Sequence, residues 1–367
     1  MNATVMYTEK MLDASWLSDA LGAQVTATSL RAKPGTSLTA SFTSSGAEGQ
    51  DASGWVRLMW PAGAGKAEKH RRKAAKLGLS VQQSELPDGF TLQWGGVKTD
   101  PKLMMHLVSF EGLNDGEILR YNPLRRLVIR NGYRVSRIVT SADPHSTDLY
   151  RFVGLHVPVP EVLDADTGTG MDVLRFVGTR DLSSGLSTTQ ATSVGALFAG
   201  LHASVSSLPN YLNRHLATKN ISPAVQLEAH ASLFDVLAPE LAGRTRALAA
   251  AFKPLSGPPV LLHGDASPDQ VLTDEATGAL WLTDFDRAYL GPAPVDIGSF
   301  MATSPTEVSA AFFEGYSSTA EHRLPVLDLQ HALAGALALR LADPLRGAQP
   351  GWKAEVEAAL SRIEQML

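Results

Sequence analysis

Residues 263–272 read His263-Gly264-Asp265-Ala266-Ser267-Pro268-Asp269-Gln270-Val271-Leu272, and Asp284-Phe285-Asp286 follows after a short apolar run. An aspartate, a carboxamide a short way on, then a strand and an Asp-Phe-acid is the layout of a phosphoryl-transfer site. That chemistry asks little covalent work of the protein, which positions groups and neutralises charge. Asp265 has the place of a group that orients an attacking hydroxyl. Gln270 and Asp284 offer oxygen ligands, which a hard cation such as magnesium prefers.

The flanks fit this reading. Pro258-Pro259-Val260-Leu261-Leu262 carries no polar side chain and reads as a buried strand delivering His263-Gly264-Asp265 into a loop. Ala279–Thr283 reads as a second strand. The turn Asp274–Gly278 joins the two arms, so a hairpin is expected to lift Asp284 beside Asp265. His-Gly-Asp alone is common, and Asp-Phe-Asp alone could be a solvated turn. The two in this order, with Asp296 beyond in Pro294-Val295-Asp296-Ile297-Gly298, are hard to obtain by accident.

These motifs resemble the aminoglycoside phosphotransferase and choline kinase group, small-molecule relatives of protein kinases. The resemblance covers residues 115–367, with its specific motifs in 263–300. It implies an α+β, protein-kinase-like two-lobe fold: a β-rich N-terminal lobe with an extra N-terminal cap unit, and a helical C-terminal lobe. The expected divisions are a cap-like α+β unit over 1–112, the N-lobe over 113–180 and the C-lobe with the catalytic loop over 181–367. It implies ATP and magnesium as cofactors. Asp265 then acts as catalytic base, His263 orients its loop, and Asp296 braces that loop. Asp284 holds metal, Gln270 is a second ligand, and Asp286 assists a second metal. Most of the family has Asn where this chain has Gln270. Gln followed by Val-Leu is similar to the maltokinase and glucosamine-kinase branch, which usually has His in place of Ser267. Gln keeps the amide oxygen on a longer stem.

The family's N-lobe normally supplies a lysine for the phosphates. Tyr133–Val139 contains none, and Arg137 falls at its position, with Asp148 in a short helix after Pro144 as the expected partner. An arginine can hold phosphate through its fork, with a different reach. A surface arginine and aspartate are the plain alternative. Asp172–Val177, including Leu174 and Phe176, would lead into the hinge whose backbone binds adenine. Val128, Ile138 and Leu174 would sandwich the ring. No glycine-rich loop separates the first strands.

A weak internal repeat precedes the motifs. Leu30–Leu38 resembles Leu119–Leu127, Gly54–Arg57 parallels Gly132–Val135, and Leu77–Val81 parallels Val153–Val157. Two related β-rich units would explain it; so would convergent hairpin composition. Strands are expected at Val25–Leu30, Ser37–Thr43 and Trp55–Trp60, with a loop over 44–53 and helices over 10–22 and 66–76. The basic helix 66–76 reads as a solvated face, the alternative being contact with phosphate-rich partners. After residue 185 the periodicity turns helical: 191–204, one or two helices over 223–252, then 304–316, 326–341 and 353–366. His202 reads as a buried structural histidine.

Apolar residues make up 44% and charged residues 19%, enough apolar content for a large core. The net charge of −5 gives no general case for nucleic acid, and a mild bias toward cationic small molecules. There is no cysteine, hence no disulfide and no thiolate metal site. The N-terminus lacks a signal pattern, and Leu333–Leu341 is too short for a membrane span and contains Arg340, so a cytoplasmic location is expected. The expected partner is a small hydroxyl acceptor: a sugar, an amino sugar or an aminoglycoside. A nucleotide-binding or scaffolding relative without transfer activity is the alternative, supported by the missing lysine and the Gln.

Overall fold

The computed structural model describes residues 2–46, 52–166, 170–320, 324 and 326–367; of the loop expected over 44–53, residues 47–51 lie outside these. Two five-stranded antiparallel sheets occupy the N-terminal half. The first contains β1 (Val25–Lys33), β2 (Ser37–Ser44), β3 (Ser53–Met59), β4 (Gln82–Glu85) and β5 (Thr91–Gly96), in spatial order β1-β2-β3-β5-β4. The second contains β6 (Glu117–Asn122), β7 (Arg126–Asn131), β8 (Arg134–Val139), β9 (Val162–Asp166) and β10 (Met171–Arg175), in order β6-β7-β8-β10-β9. Each sheet takes a helix between its third and fourth strands, Ala64–Lys76 in one and Ser146–Val153 in the other. The two units therefore share one topology, as the repeat suggested.

The helix expected over 10–22 is two helices, Ala3–Leu12 and Ala14–Leu21. Asp13 breaks them: its carboxylate accepts from Ser15 N at 2.9 Å and Trp16 N at 3.2 Å, capping the second. The first sheet shares a core with the far end of the chain. Tyr7, Met11, Leu38 and Leu58 pack in one cluster with Leu227, Phe234, Leu341 and Trp352. Asp100 ties the two sheets together. Its carboxylate, fully buried, accepts from Lys102 N, Leu103 N, Leu124 N and Tyr121 Oη.

The C-terminal half is helical around short strands: β11 (Arg180–Asp181), β12 (Pro259–Leu262), β13 (Val271–Thr273), β14 (Leu280–Leu282) and β15 (Tyr289–Pro292). The strand before His263, β12, pairs with β15, whereas β14 pairs with β13. The hairpin that carries Asp284 is thus built after the loop and not across it. Helix Thr188–Ala203 starts at a Ser187/Gln190 capping box and lies against helix Thr306–Thr319. Their backbones meet at glycines: a Cβ on Gly195 would stand 2.1 Å from Phe312 O, and one on Gly315 1.9 Å from Thr192 O. Among the described residues no single helix is long and apolar enough to cross a membrane. One bent pair, Thr188–Ser207 with Asn210–Ala217, reaches the length, but its Val194, Phe198, Leu201 and Leu212 are core residues.

Candidate active site

Asp296 fixes the loop that carries His263, Gly264 and Asp265. It is fully buried in helix Pro294–Ala302 and accepts from His263 N at 2.7 Å and Gly264 N at 2.9 Å. His202 Nε2 lies 3.1 Å from the same carboxylate, and Tyr316 Oη lies 2.9 Å from His202 Nδ1. Burial, with the Asp296 charge close by, pushes the Tyr316 phenol up to about 12. Gly264 has φ +77, and a Cβ there would stand 2.0 Å from Arg287 O, so only glycine fits. His263 bridges the two motifs. Its Nε2 donates to Thr283 O at 2.8 Å, and its Nδ1 accepts from Asp265 N at 3.3 Å.

Asp284 stands in the left-handed region at φ +62. Its N–H donates to Tyr150 Oη at 2.7 Å, which holds this unusual backbone in place. Arg126 Nη1 donates to both Asp284 oxygens, at 3.0 and 2.9 Å, and to Asp286 at 3.1 Å. Burial opposes ionisation of Asp284, but Arg126 and Arg137 outweigh it and hold the carboxyl below its usual range. Gln270 is buried, and its Nε2 donates to Asp269 at 2.9 Å.

Arg137 is buried on β8 and pairs with Asp286. The expected pairing with Asp148 does not form. Asp148 points away on helix Ser146–Val153, near His145 at 3.9 Å. The arginine's cross-strand neighbour is instead Asp172. The apolar sandwich is also revised. Val128 and Leu174 line the cleft with Val135 and Leu272, but Ile138 packs on the other face of the sheet with Leu103, Leu127 and Ile129. Side chains alternate along a strand, so Arg137 and Ile138 cannot both face the cleft. Phe176 lines the cleft, with the Arg130 guanidinium 3.7 Å above its ring.

Asp265 has arginine neighbours that the sequence reading missed. Arg340 donates to Asp265 Oδ1 at 2.9 Å, and Arg287 Nη1 lies 3.5 Å from Oδ2. Arg126 was equally unremarked. A lone arginine inside an apolar helical run, as at Arg340, was the one available signal, since such a charge needs a partner.

Gln270, Asp284 and Arg126 form a wall between two cavities. One, about 390 Å³, contains Val128, Leu174 and Phe176; the other, about 470 Å³, contains Asp265. Asp284 and the Gln270 amide bring oxygen atoms to this wall, the kind of ligand a hard divalent cation takes.

The sequence profile of the phosphotransferase enzyme family matches residues 146–342, more than half of the chain. Among solved structures, a choline/ethanolamine kinase family protein from Mesorhizobium loti is 18% identical with a TM-score of 0.48, covering 71% of this chain and 90% of that one. A spectinomycin phosphotransferase solved with ADP and spectinomycin is 13% identical, TM-score 0.46, covering 69% and 89%. A macrolide 2′-phosphotransferase from Brachybacterium faecium is 18% identical, TM-score 0.44, covering 69% and 90%. No curated protein matches the chain. The chain belongs to the phosphotransferase enzyme family.

Proposed function

We propose that the protein transfers the γ-phosphoryl group of ATP, with magnesium, to a hydroxyl of a small polar molecule. One observation carries this reading: Gln270 and Asp284 line both cavities, with the apolar cleft on one side and Asp265 on the other. Val128, Val135, Leu174 and Leu272 suit an adenine ring. Asp284, Gln270 and Asp286 would hold magnesium, which, when bound, neutralises phosphate charge and aligns the phosphates. Arg137 and Arg126, which face these carboxylates, would turn toward phosphate oxygens.

Asp265 orients the acceptor hydroxyl and accepts its proton. The hydroxyl oxygen forms a bond to the γ-phosphorus while the bond to the β–γ bridging oxygen breaks, leaving ADP. His263 and Asp296 keep the loop that carries Asp265 in register with Asp284. The test is a pair of variants. Asp265→Asn should lose about 10²–10⁴ in kcat and keep nucleotide binding; Asp284→Ala should lose magnesium-dependent nucleotide binding in calorimetry. Normal turnover in the first, or unchanged metal–ATP affinity in the second, would sink the assignment.

A nucleotide-binding protein without transfer is the second reading. The arginines on Asp265, Asp284 and Asp286 favour it, because carboxylates so paired are less free for a hydroxyl or a metal. It predicts ATP binding with no turnover of any acceptor.

A further inference from the structure

The cavity that contains Asp265 reaches the first sheet. Arg31 on β1 and Lys102 line it. A second cavity of about 480 Å³ adjoins the first, sharing Arg31, Lys102 and Leu124 with it. It adds Lys33, Arg57, Lys66 and Lys69, and its lining contains no carboxylate. The nearby Asp100 is already spent on four internal donors. Arg57 Nε is buried without a hydrogen-bond partner. Arg31, then burial, then Lys102 and Arg57 hold the Lys33 ammonium below its usual range, the mark of crowded like charge. The helix Ala64–Lys76 is therefore more than a solvated face. It buries Ala67, His70 and Ala74 and turns Lys66 and Lys69 to the groove.

We infer that this groove receives the anionic part of the acceptor: a small molecule bearing a phosphate or carboxylate group besides the hydroxyl that meets Asp265. The inference rests on the phosphotransfer reading above and narrows its substrate class. The nucleotide does not account for Lys33, Arg57, Lys66 or Lys69, since none of them lines the adenine cleft or the cavity that contains Asp265, Gln270 and Asp284. The net charge of −5 pointed toward cationic ligands. Local charge decides instead, because fields from the rest of the surface are screened within about 8 Å. Cationic amino sugars and aminoglycosides would enter against repulsion.

The experiment titrates the full chain, saturated with magnesium and ADP to fill the cleft, with inorganic pyrophosphate, glucose 6-phosphate and glucuronate. Glucose and kanamycin are the neutral and cationic comparisons. The anions should bind tighter than glucose, with glucuronate separating carboxylate from phosphate. Arg31→Gln with Lys69→Gln should weaken anion binding on the order of tenfold to a hundredfold. Arg31→Lys should recover most of it, which a merely unfolded variant would not. Anions that bind no better than glucose, or a double variant without effect, overturn the inference. So does a short single-stranded oligonucleotide that binds where the small anions fail. A parallel assay of transfer separates the two claims. Turnover of glucose or kanamycin in preference to the anions removes this inference and leaves phosphotransfer standing. Charge-dependent anion binding without turnover of any acceptor removes phosphotransfer and leaves an anion groove.

Discussion

Arg340 Nη2 donates to Asp265 Oδ1 at 2.9 Å, from just beyond the last turn of helix Val326–Leu339. The helix sits against helix Pro294–Ala302, which carries Asp296. Both the backbone at His263 and Gly264 and the side chain of Asp265 are therefore fixed from the same helical layer. We take Arg340 as a positioning residue. Arg340→Gln should lower kcat about tenfold or more, because small misplacements of a reacting group are costly. KM for ATP should change little, and Arg340→Lys should restore part of the rate. A rise in kcat would show instead that the arginine blocks the carboxylate.

Asp296→Asn should destabilise the protein. The buried carboxylate accepts two backbone N–H groups and faces His202. An amide presents its own N–H to one of these donors and cannot replace the charge. The loss should be about 3 kcal/mol, as for other buried charged hydrogen-bond networks broken at one member. Chemical denaturation reads it directly. A midpoint equal to that of wild type would mean the loop holds without this brace.

The two motifs were readable because each is short and its constraints are local. Gly264 must adopt φ +77, and the Asp284 backbone is left-handed, so loop geometry is written in adjacent residues. The two-sheet repeat was visible for the same reason: turns and strand ends recur at matching places. The partners of the acidic residues were not readable. Arg126 and Arg340 reach Asp284 and Asp265 across long stretches of chain, and no local pattern says which arginine folds back. Assigning Arg137 to Asp148 followed proximity in sequence, whereas strand register set its surroundings. The cationic groove was hidden in a chain of net negative charge because its members come from β1, β3, the helix Ala64–Lys76 and the segment after β5.

Acid should weaken the fold through His230. It is 1% exposed in helix Pro223–Leu237, within 3.4 Å of Leu339 O. Burial, with Arg346 nearby, lowers its pKa from 6.5 to about 4. The folded state thus keeps the ring neutral where the unfolded chain would protonate it. Stability from this residue is whole above pH 6.5, declines as pH falls toward 4, and is level below that. The decline is about 3 kcal/mol. His230→Leu should flatten that part of the stability curve. The same slope in the variant would place the proton uptake elsewhere.

Gln270 gives the sharpest test of the metal assignment. Its Nε2 is committed to Asp269, which leaves Oε1 as the free end of the amide, on a residue that lines both cavities. If that oxygen is a ligand, Gln270→Asn should keep part of the activity, because the ligand type survives on a stem one methylene shorter. Gln270→Leu should lose nearly all of it, since no oxygen remains and an apolar group stands at the cation's position. A magnesium titration should give the same order, Gln before Asn before Leu, in apparent metal affinity. The contact to Asp269 separates a ligand from a scaffold. A role limited to that hydrogen bond would lower thermal stability in both variants and leave the magnesium dependence of the folded enzyme where it was. If Leu requires no more magnesium than wild type, the cation is held by Asp284 and Asp286 without Gln270.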